Sequence, residues 1–482
     1  MQSLHWTGGR GRAMPCPAAM KGPDMTAGTR FETDSLGQME LPANCLWGIH
    51  TQRAIENFPI SGIKLSLFPE VIRALAAVKM AAARANCALG VLPADKARVI
   101  ETVCANVMAG GHDAAFAVDM IQGGAGTSTN MNVNEVIANL GLHRMGKSLG
   151  DYKWLHPNDD VNKSQSTNDV YPTAMRLAIV GQCTAFCAAQ TRLIDALRAK
   201  ARDFAHIKKI GRTQLQDALP MTLGQEFASW ANTIAEDVQI IQRLSQLLLE
   251  VNLGGTAIGT GVNTPKGYAQ RAVAELAQIS GLPTVLASDL IEASSDCGAY
   301  VTFSGVLKRI AVKLSKICND LRLLSSGPRS GFTEIYLPAM QAGSSIMPGK
   351  VNPVIPEVVN QIAFQVIGND LTVTMAAEAG QLQLNAFEPV IMLNILQSMR
   401  ILMTGMDTLA TRCIAGITAN AAGCEGALEN SLVLATMLVP HIGYARAAEV
   451  AKTALNSGTS VIDAALHLGI ASPEDLALML QG

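Results

Sequence analysis

The spacing of apolar residues constrains this chain more than any other feature. Phe303, Val306, Ile310, Leu314, Ile317, Leu321 and Leu324 recur at steps of three and four, while Lys308, Arg309, Lys313, Lys316 and Asp320 take the other face. Ile234, Val238, Ile241, Leu244, Leu248 and Val251 repeat the pattern, and residues 174–203 and 356–376 are also long and helical in character. Connectors with Gly, Ser and Pro separate these four stretches, and none of them alternates as a strand would. A period near ~3.5 held over roughly 20–30 residues predicts a mainly α fold, a bundle of long helices covering one another's apolar stripes.

Charge sets the next limit. Only 16% of the 482 residues are charged, against roughly 25% in a soluble monomer. So little polar surface implies either a membrane or an oligomer. No uninterrupted apolar run reaches about 18–20 residues, so helices shared between copies of the chain are expected, and no membrane. Net charge is −2, from 37 basic and 39 acidic residues without a charged tail, which argues against nucleic acid as a partner. Ten cysteines are scattered without a CxxC pair, which predicts neither a disulfide framework nor a zinc ribbon and suits a reducing, cytoplasmic location. The eight histidines form no HExxH pair; His50, His143, His206 and His467 read as structural or surface residues.

Four polar runs interrupt the helical pattern: residues 123–130 (GGAGTSTN), 162–169 (NKSQSTND), 211–217 (GRTQLQD) and 343–352 (GSSIMPGKVN). Each is expected just before a helix. Taken singly, each reads as an N-cap or turn. Taken together, bare helix N–H groups, hydroxyls, amides and one Lys suit a small ligand that carries carboxylates. Residues 343–350 are not a phosphate loop, because the glycines stand one residue too far apart and Val351 replaces the magnesium-binding hydroxyl.

The run Gly343 to Pro353 (GSSIMPGKVNP) resembles the signature loop of the aspartase/fumarase superfamily. The other three runs match in the same order, as does Arg53-Ala54-Ile55-Glu56-Asn57-Phe58, so the resemblance covers the chain from about residue 30 onward. Within the superfamily the aspartase branch is the better match, on residues 211–227, 295–329, 352–361 and 376–385. The stretch 158–164 would suit a fumarase, which usually has His where this chain has Gln214, so hydration on the same scaffold is the rival activity. A catalytically idle structural or binding member of the family is the third reading.

The resemblance implies reversible deamination of L-aspartate to fumarate and ammonia by anti-elimination, through an aci-carboxylate intermediate and without metal or organic cofactor. It implies Ser344 as general base. Thr127, Ser166, Thr167 and Ser345 match the β-carboxylate donors, and Lys350, Asn352 and Thr213 the α-carboxylate clamp. Asn168, with Thr127 and Gln214, would hold the amino group, and Met347 would pack the loop down. Glu226, Lys163 and Asp169 are either acid/base partners or buried ion pairs that orient the site. His156-Pro157-Asn158-Asp159 resembles a secondary anion site. The family also implies a homotetramer with each active site built from three subunits. Three domains are expected, at 29–165, 166–422 and 423–482. Residues 1–28 read as a disordered extension or an overlong start, with Met14, Met20 or Met25 as the true start; a transit peptide is the alternative.

Overall fold

The computed structural model describes residues 28–480, so the expectations for the N-terminal extension lie outside the described residues. The chain opens with a hairpin, β1 (Thr29–Asp34) and β2 (Gly37–Pro42), and continues through α1 (Ile49–Asn57), α2 (Pro69–Ala88), α3 (Ala94–Met108) and α4 (Thr127–Arg144). Next come α5 (Thr167–Asp203), the hairpin β3 (Lys208–Thr213) and β4 (Gln216–Thr222), α6 (Leu223–Leu247), β5 (Glu250–Val251), α7 (Tyr268–Ser280) and β6 (Val285–Leu286). After these lie α8 (Gly298–Leu324), β7 (Ile335–Tyr336), α9 (Val354–Glu378), α10 (Glu388–Arg412) and β8 (Thr418–Ala419). Five short helices end the chain: α11 (Ala421–Glu429), α12 (Ala435–Ile442), α13 (Tyr444–Ser457), α14 (Val461–His467) and α15 (Pro473–Met479).

The periodic stretches are helices. In α8 the whole stripe from Phe303 to Leu324 is buried. The pattern around 234–251 overruns its helix, since α6 stops at Leu247 and Val251 belongs to a short strand. Among the described residues the strands form four two-stranded sheets, each too small to be a core. Two stretches, Thr167–Asp203 and Glu388–Gly416, reach a mean hydropathy of 1.2 over 18 residues, so they are long and apolar enough to cross a membrane. More than half of each apolar window, 56% and 67%, is buried inside the protein, as in core helices.

The chain divides into two compact units. Among the described residues, the first comprises those up to Cys187, Gln239–Arg309 and Gln365–Ile401; the second comprises Ala188–Val238, Ile310–Phe364 and those from Leu402 onward. Within the first, α1 starts at Gly48 with no side-chain cap of its own. Buried Glu135 of α4 takes over that task, accepting the N–H groups of Gly48, His50 and Thr51 at 2.9–3.1 Å and the Thr51 hydroxyl at 2.6 Å.

The second unit contains the C-terminal helices, whose core of Leu438, Val450, Val461, Ala465 and Leu476 packs on Ile210 of β3. Ser431 donates its hydroxyl to Asp217 of β4 at 2.7 Å. Behind the hairpin, Lys209 is 2% exposed and pairs with Glu226 at 2.6 Å and Glu334 at 2.5 Å, while Arg212 pairs with the other oxygen of Glu334. Neutralised this way, two cations are held beneath the hairpin without an uncompensated buried charge.

Candidate functional site

In the first unit the starts of α4 and α5 lie side by side. Gly126 precedes α4 at φ +88°, and a Cβ there would collide with the ring of Tyr171, so only glycine allows this approach. Thr127 opens α4 and donates its hydroxyl to the carbonyl of Gly124 at 2.7 Å. A capping box opens α5: Ser166 Oγ accepts the Asn168 N–H, and Asp169 accepts the Ser166 N–H at 2.9 Å. Pro172 stands inside α5 and has no N–H for the carbonyl of Asn168. Left bare, that carbonyl would cost roughly 1–3 kcal/mol; the side-chain amide of Asn252 donates to it at 3.0 Å instead.

Thr167 and Asn168 are therefore fixed from below. Asn168 donates its side-chain amide to the carbonyl of Ala257 at 2.7 Å. Asp169 is fully buried and accepts the N–H groups of Gly254 and Thr256, at 2.9 and 3.1 Å, as well as that of Ser166. Burial raises its carboxyl to about 6, against these three hydrogen bonds and the charge of Lys79. Asp169 is thus an anchor for the 254–257 turn through backbone hydrogen bonds, rather than one half of a contact ion pair.

Lys79 is the residue that sequence reasoning missed. It is completely buried, and its ammonium donates to Asn130 Oδ1 at 2.7 Å, Asn162 Oδ1 at 2.8 Å and Gln165 Oε1 at 2.9 Å. Burying an ammonium costs several kcal/mol, and three hydrogen bonds to a charged donor at roughly 1.5–3 kcal/mol each offset it. Burial still lowers the amine to about 7, with Asp169 and Cys104 opposing the shift. A signal existed: Lys79 stands at helical spacing from Val71, Ile72 and Leu75, where an apolar residue belongs. The turn Gly254-Gly255-Thr256-Ala257 was missed too, although its glycines and hydroxyl match the style of the four runs that were singled out.

The second unit holds the remaining predicted residues. Residues 211–217 were expected immediately before a helix, and the structure corrects this: they form the β3–β4 hairpin, with α6 starting only at Leu223. Its turn is Gln214-Leu215, at φ +53° and +64°. A two-residue turn of this kind normally carries Asn-Gly, and each residue held at positive φ costs of order 1–3 kcal/mol. Thr213 and Gln214 are exposed at this strained tip.

Ser344 lies in a loop between β7 and α9. Its Oγ accepts the N–H groups of Ile346 and Met347, both at 3.1 Å. A Cβ on Gly343 would overlap the carbonyl oxygen of Lys350, so the loop closes its own base only because that position is glycine. Ser345 and Lys350 are exposed and Asn352 half-buried. Met347, expected to pack the loop down, is 51% exposed. Glu226, as one of the two sequence readings had it, is an ion-pair partner, of Lys209. His156 uses Nδ1 to accept the N–H groups of Asn158 and Asp159, which organises its own turn.

A cavity of about 170 Å³ opens beside the hairpin, lined by Lys209, Arg212, Leu215, Glu226, Lys316 and Phe332 among others. None of the predicted substrate residues lines it, and Lys209, Arg212 and Lys316 are all paired with carboxylates. We therefore do not place the chemistry there. Among the described residues no group of three or more His, Cys, Asp or Glu could hold a metal ion.

Comparison with known proteins identifies the family. Residues 37–368 match a family described as lyase, and residues 434–481 match the fumarase C C-terminus. The chain belongs to the aspartase/fumarase superfamily of lyases. An aspartate ammonia-lyase of Pseudomonas aeruginosa is 58% identical over 438 residues, which is 91% of this chain and 92% of that one. A Brucella melitensis structure described as fumarate lyase:delta crystallin, solved with cobalt, superposes with a TM-score of 0.92 at 58% identity, covering 94% and 98% of the two chains. A class II fumarase from Schistosoma mansoni gives a TM-score of 0.88 at 33% identity, covering 94% and 98%.

Proposed function

We propose that this chain catalyses the reversible anti-elimination of ammonia from L-aspartate to give fumarate. The observation that carries the reading is Ser344, whose Oγ accepts two loop N–H groups in a chain 58% identical to an aspartate ammonia-lyase. A serine is far too weak an acid to act as a base at neutral pH, and hydrogen bonds to its oxygen favour the alkoxide. The alkoxide takes the Cβ proton, and the electron pair passes into the adjacent carboxylate as an aci-carboxylate dianion. The C–N bond then breaks, and ammonia leaves with the bonding electrons.

Fixed neutral donors suit the dianion, because they need no reorganisation as its charge develops. Ser166, Thr167 and Ser345 take that role in our reading, and Thr127 joins them once its hydroxyl turns from the Gly124 carbonyl; Lys350, Asn352 and Thr213 clamp the α-carboxylate, and Asn168 with Gln214 holds the amine. Gln214 is neutral, so no titratable group at that position assists departure. The rival substrate is L-malate, favoured by the likeness to a class II fumarase. Purified protein should produce the ultraviolet absorbance of fumarate from L-aspartate and not from L-malate. Fumarate from malate alone would overturn the reading.

We further propose a cytoplasmic homotetramer whose sites draw on three subunits. Support comes from α9, where Phe364, Leu371 and Met375 are each more than 60% exposed and Ile367 between them is 38% exposed. An apolar stripe of that length on one helix needs a cover, and a second copy of the chain supplies one. Among the described residues eight cysteines are buried and one is half-buried, and thiols kept inside the protein suit a reducing compartment. Mixing inactive Ser344→Ala and Thr127→Ala chains should restore partial activity, since some mixed sites would then be intact. Absence of rescue after verified subunit exchange would count against shared sites.

A further inference from the structure

The geometry points to Lys79 as a positioning residue that fixes the direction of hydrogen bonding at Thr167; this rests on the carboxylate-binding role proposed for Thr167. Three amide oxygens around Nζ favour the protonated amine, which has three N–H donors and no acceptor. All three are used on Asn130, Asn162 and Gln165, so each amide must turn its oxygen toward Nζ. Asn130 then has only its NH₂ group to present on the other side. That group donates to Asn162 Oδ1 at 3.2 Å and to Thr167 Oγ1 at 3.1 Å.

The orientation of the remaining amides agrees. Gln165 donates its NH₂ to the carbonyls of Val161 and Lys163, both at 3.0 Å, and Asn162 donates to the carbonyl of Gln165 at 3.3 Å. No amide in the group can flip without facing N–H against N–H. Thr167 is thereby cast as an acceptor toward Asn130, and its hydroxyl proton has no acceptor among the described residues. That proton is left to donate to a ligand. The buried lysine touches no substrate; through one amide it decides that Thr167 offers a proton to an incoming carboxylate rather than a lone pair. Each bond in such a chain also polarises the next.

The test is a double-mutant cycle on the full-length enzyme, with kcat and KM measured for L-aspartate. Wild-type activity on aspartate is the first requirement, and its absence would sink the functional reading rather than this one. Lys79→Met should lower kcat by roughly 10–100-fold, as expected for weakening one transition-state donor, with a smaller change in KM. In a Thr167→Val background the same change should cost no more than about 3-fold, because the two act as one unit. In a Thr167→Ser background, where the hydroxyl remains, the large loss should return. Equal losses in the Val and wild-type backgrounds, or no loss at all, would overturn the proposal. Should Lys79→Met fail to fold, Asn130→Asp decides. Its carboxylate keeps an ion pair with Lys79 but draws the Thr167 proton inward, so kcat should fall at least about 10-fold. Wild-type kcat in Asn130→Asp would refute the assignment.

Discussion

Two regions supply the proposed chemistry, and they are built on opposite plans. Around Lys79 and Asp169 the donors are buried, every amide has a determined orientation, and the helix starts are locked by a capping box and a glycine under Tyr171. Around Ser344 the chain is exposed, and the serine is held by short-range bonds within the loop itself. A charge that develops in the reaction is best met by donors already fixed. A base that must reach substrate and then release product suits a loop that can move. The contrast makes a physical statement: substitutions in the first region should cost stability and rate together, and substitutions in the second should cost rate alone.

Ser344→Ala tests the second half of that statement most sharply. It should lower kcat by about 10²–10⁴-fold, the range for loss of a general base, with no measurable shift in melting temperature. A large drop in Tm would show that Ser344 holds structure. Gly343→Ala comes next, because its methyl must displace the Lys350 carbonyl. A shift of about 1 Å at a reacting group costs roughly 10²-fold, so steady-state assays should show that loss while circular dichroism melts stay unchanged.

The buried region should answer differently. Asp169→Asn keeps the shape but turns an N–H donor toward the backbone N–H groups of Gly254, Thr256 or Ser166. Loss of one such pairing should remove roughly 1–3 kcal/mol of stability in denaturant titrations and lower kcat in parallel. Stability preserved with rate lost would break the comparison.

The last effect is one of pH and concerns Glu388, also deep in the first unit. Burial raises its carboxyl to about 8, with Arg176 pulling it down. A raised acid binds a proton in the native state that the unfolded chain has released, so its contribution is full below pH ~4.5 and is lost as pH rises toward 8. Glu388→Gln should therefore flatten the decline of unfolding free energy between about pH 6 and 8, by up to roughly 1.4 kcal/mol per pH unit in denaturant titrations. An unchanged slope would mean that the carboxyl is already ionised in the folded protein.

Legibility followed the range of the interactions. The α8 stripe could be read because helical spacing is local, and the start of α5 because Ser166 and Asp169 cap it within one turn. The hairpin at 208–222 could not, since Gln214-Leu215 has none of the residues that favour positive φ, and its anchor is Ile210, clustered with Leu438 and Val450 more than 200 positions later. Lys79 and Asn130 are 51 positions apart, and the 254–257 turn is 85 or more from Asp169.

The sequence by itself determined the helical architecture and the family to which the 343–353 loop belongs, and it set the expectation of a partner surface, because periodicity, composition and contiguous motifs are written along one dimension. Only the tertiary structure decided which amides face which donors, where Asp169 finds its hydrogen bonds and why a lysine can sit in an alanine-rich helix. Those facts depend on atoms about 3 Å apart whose residues are far apart in the chain, and hydrogen bonding at that distance is what gives each of them a direction.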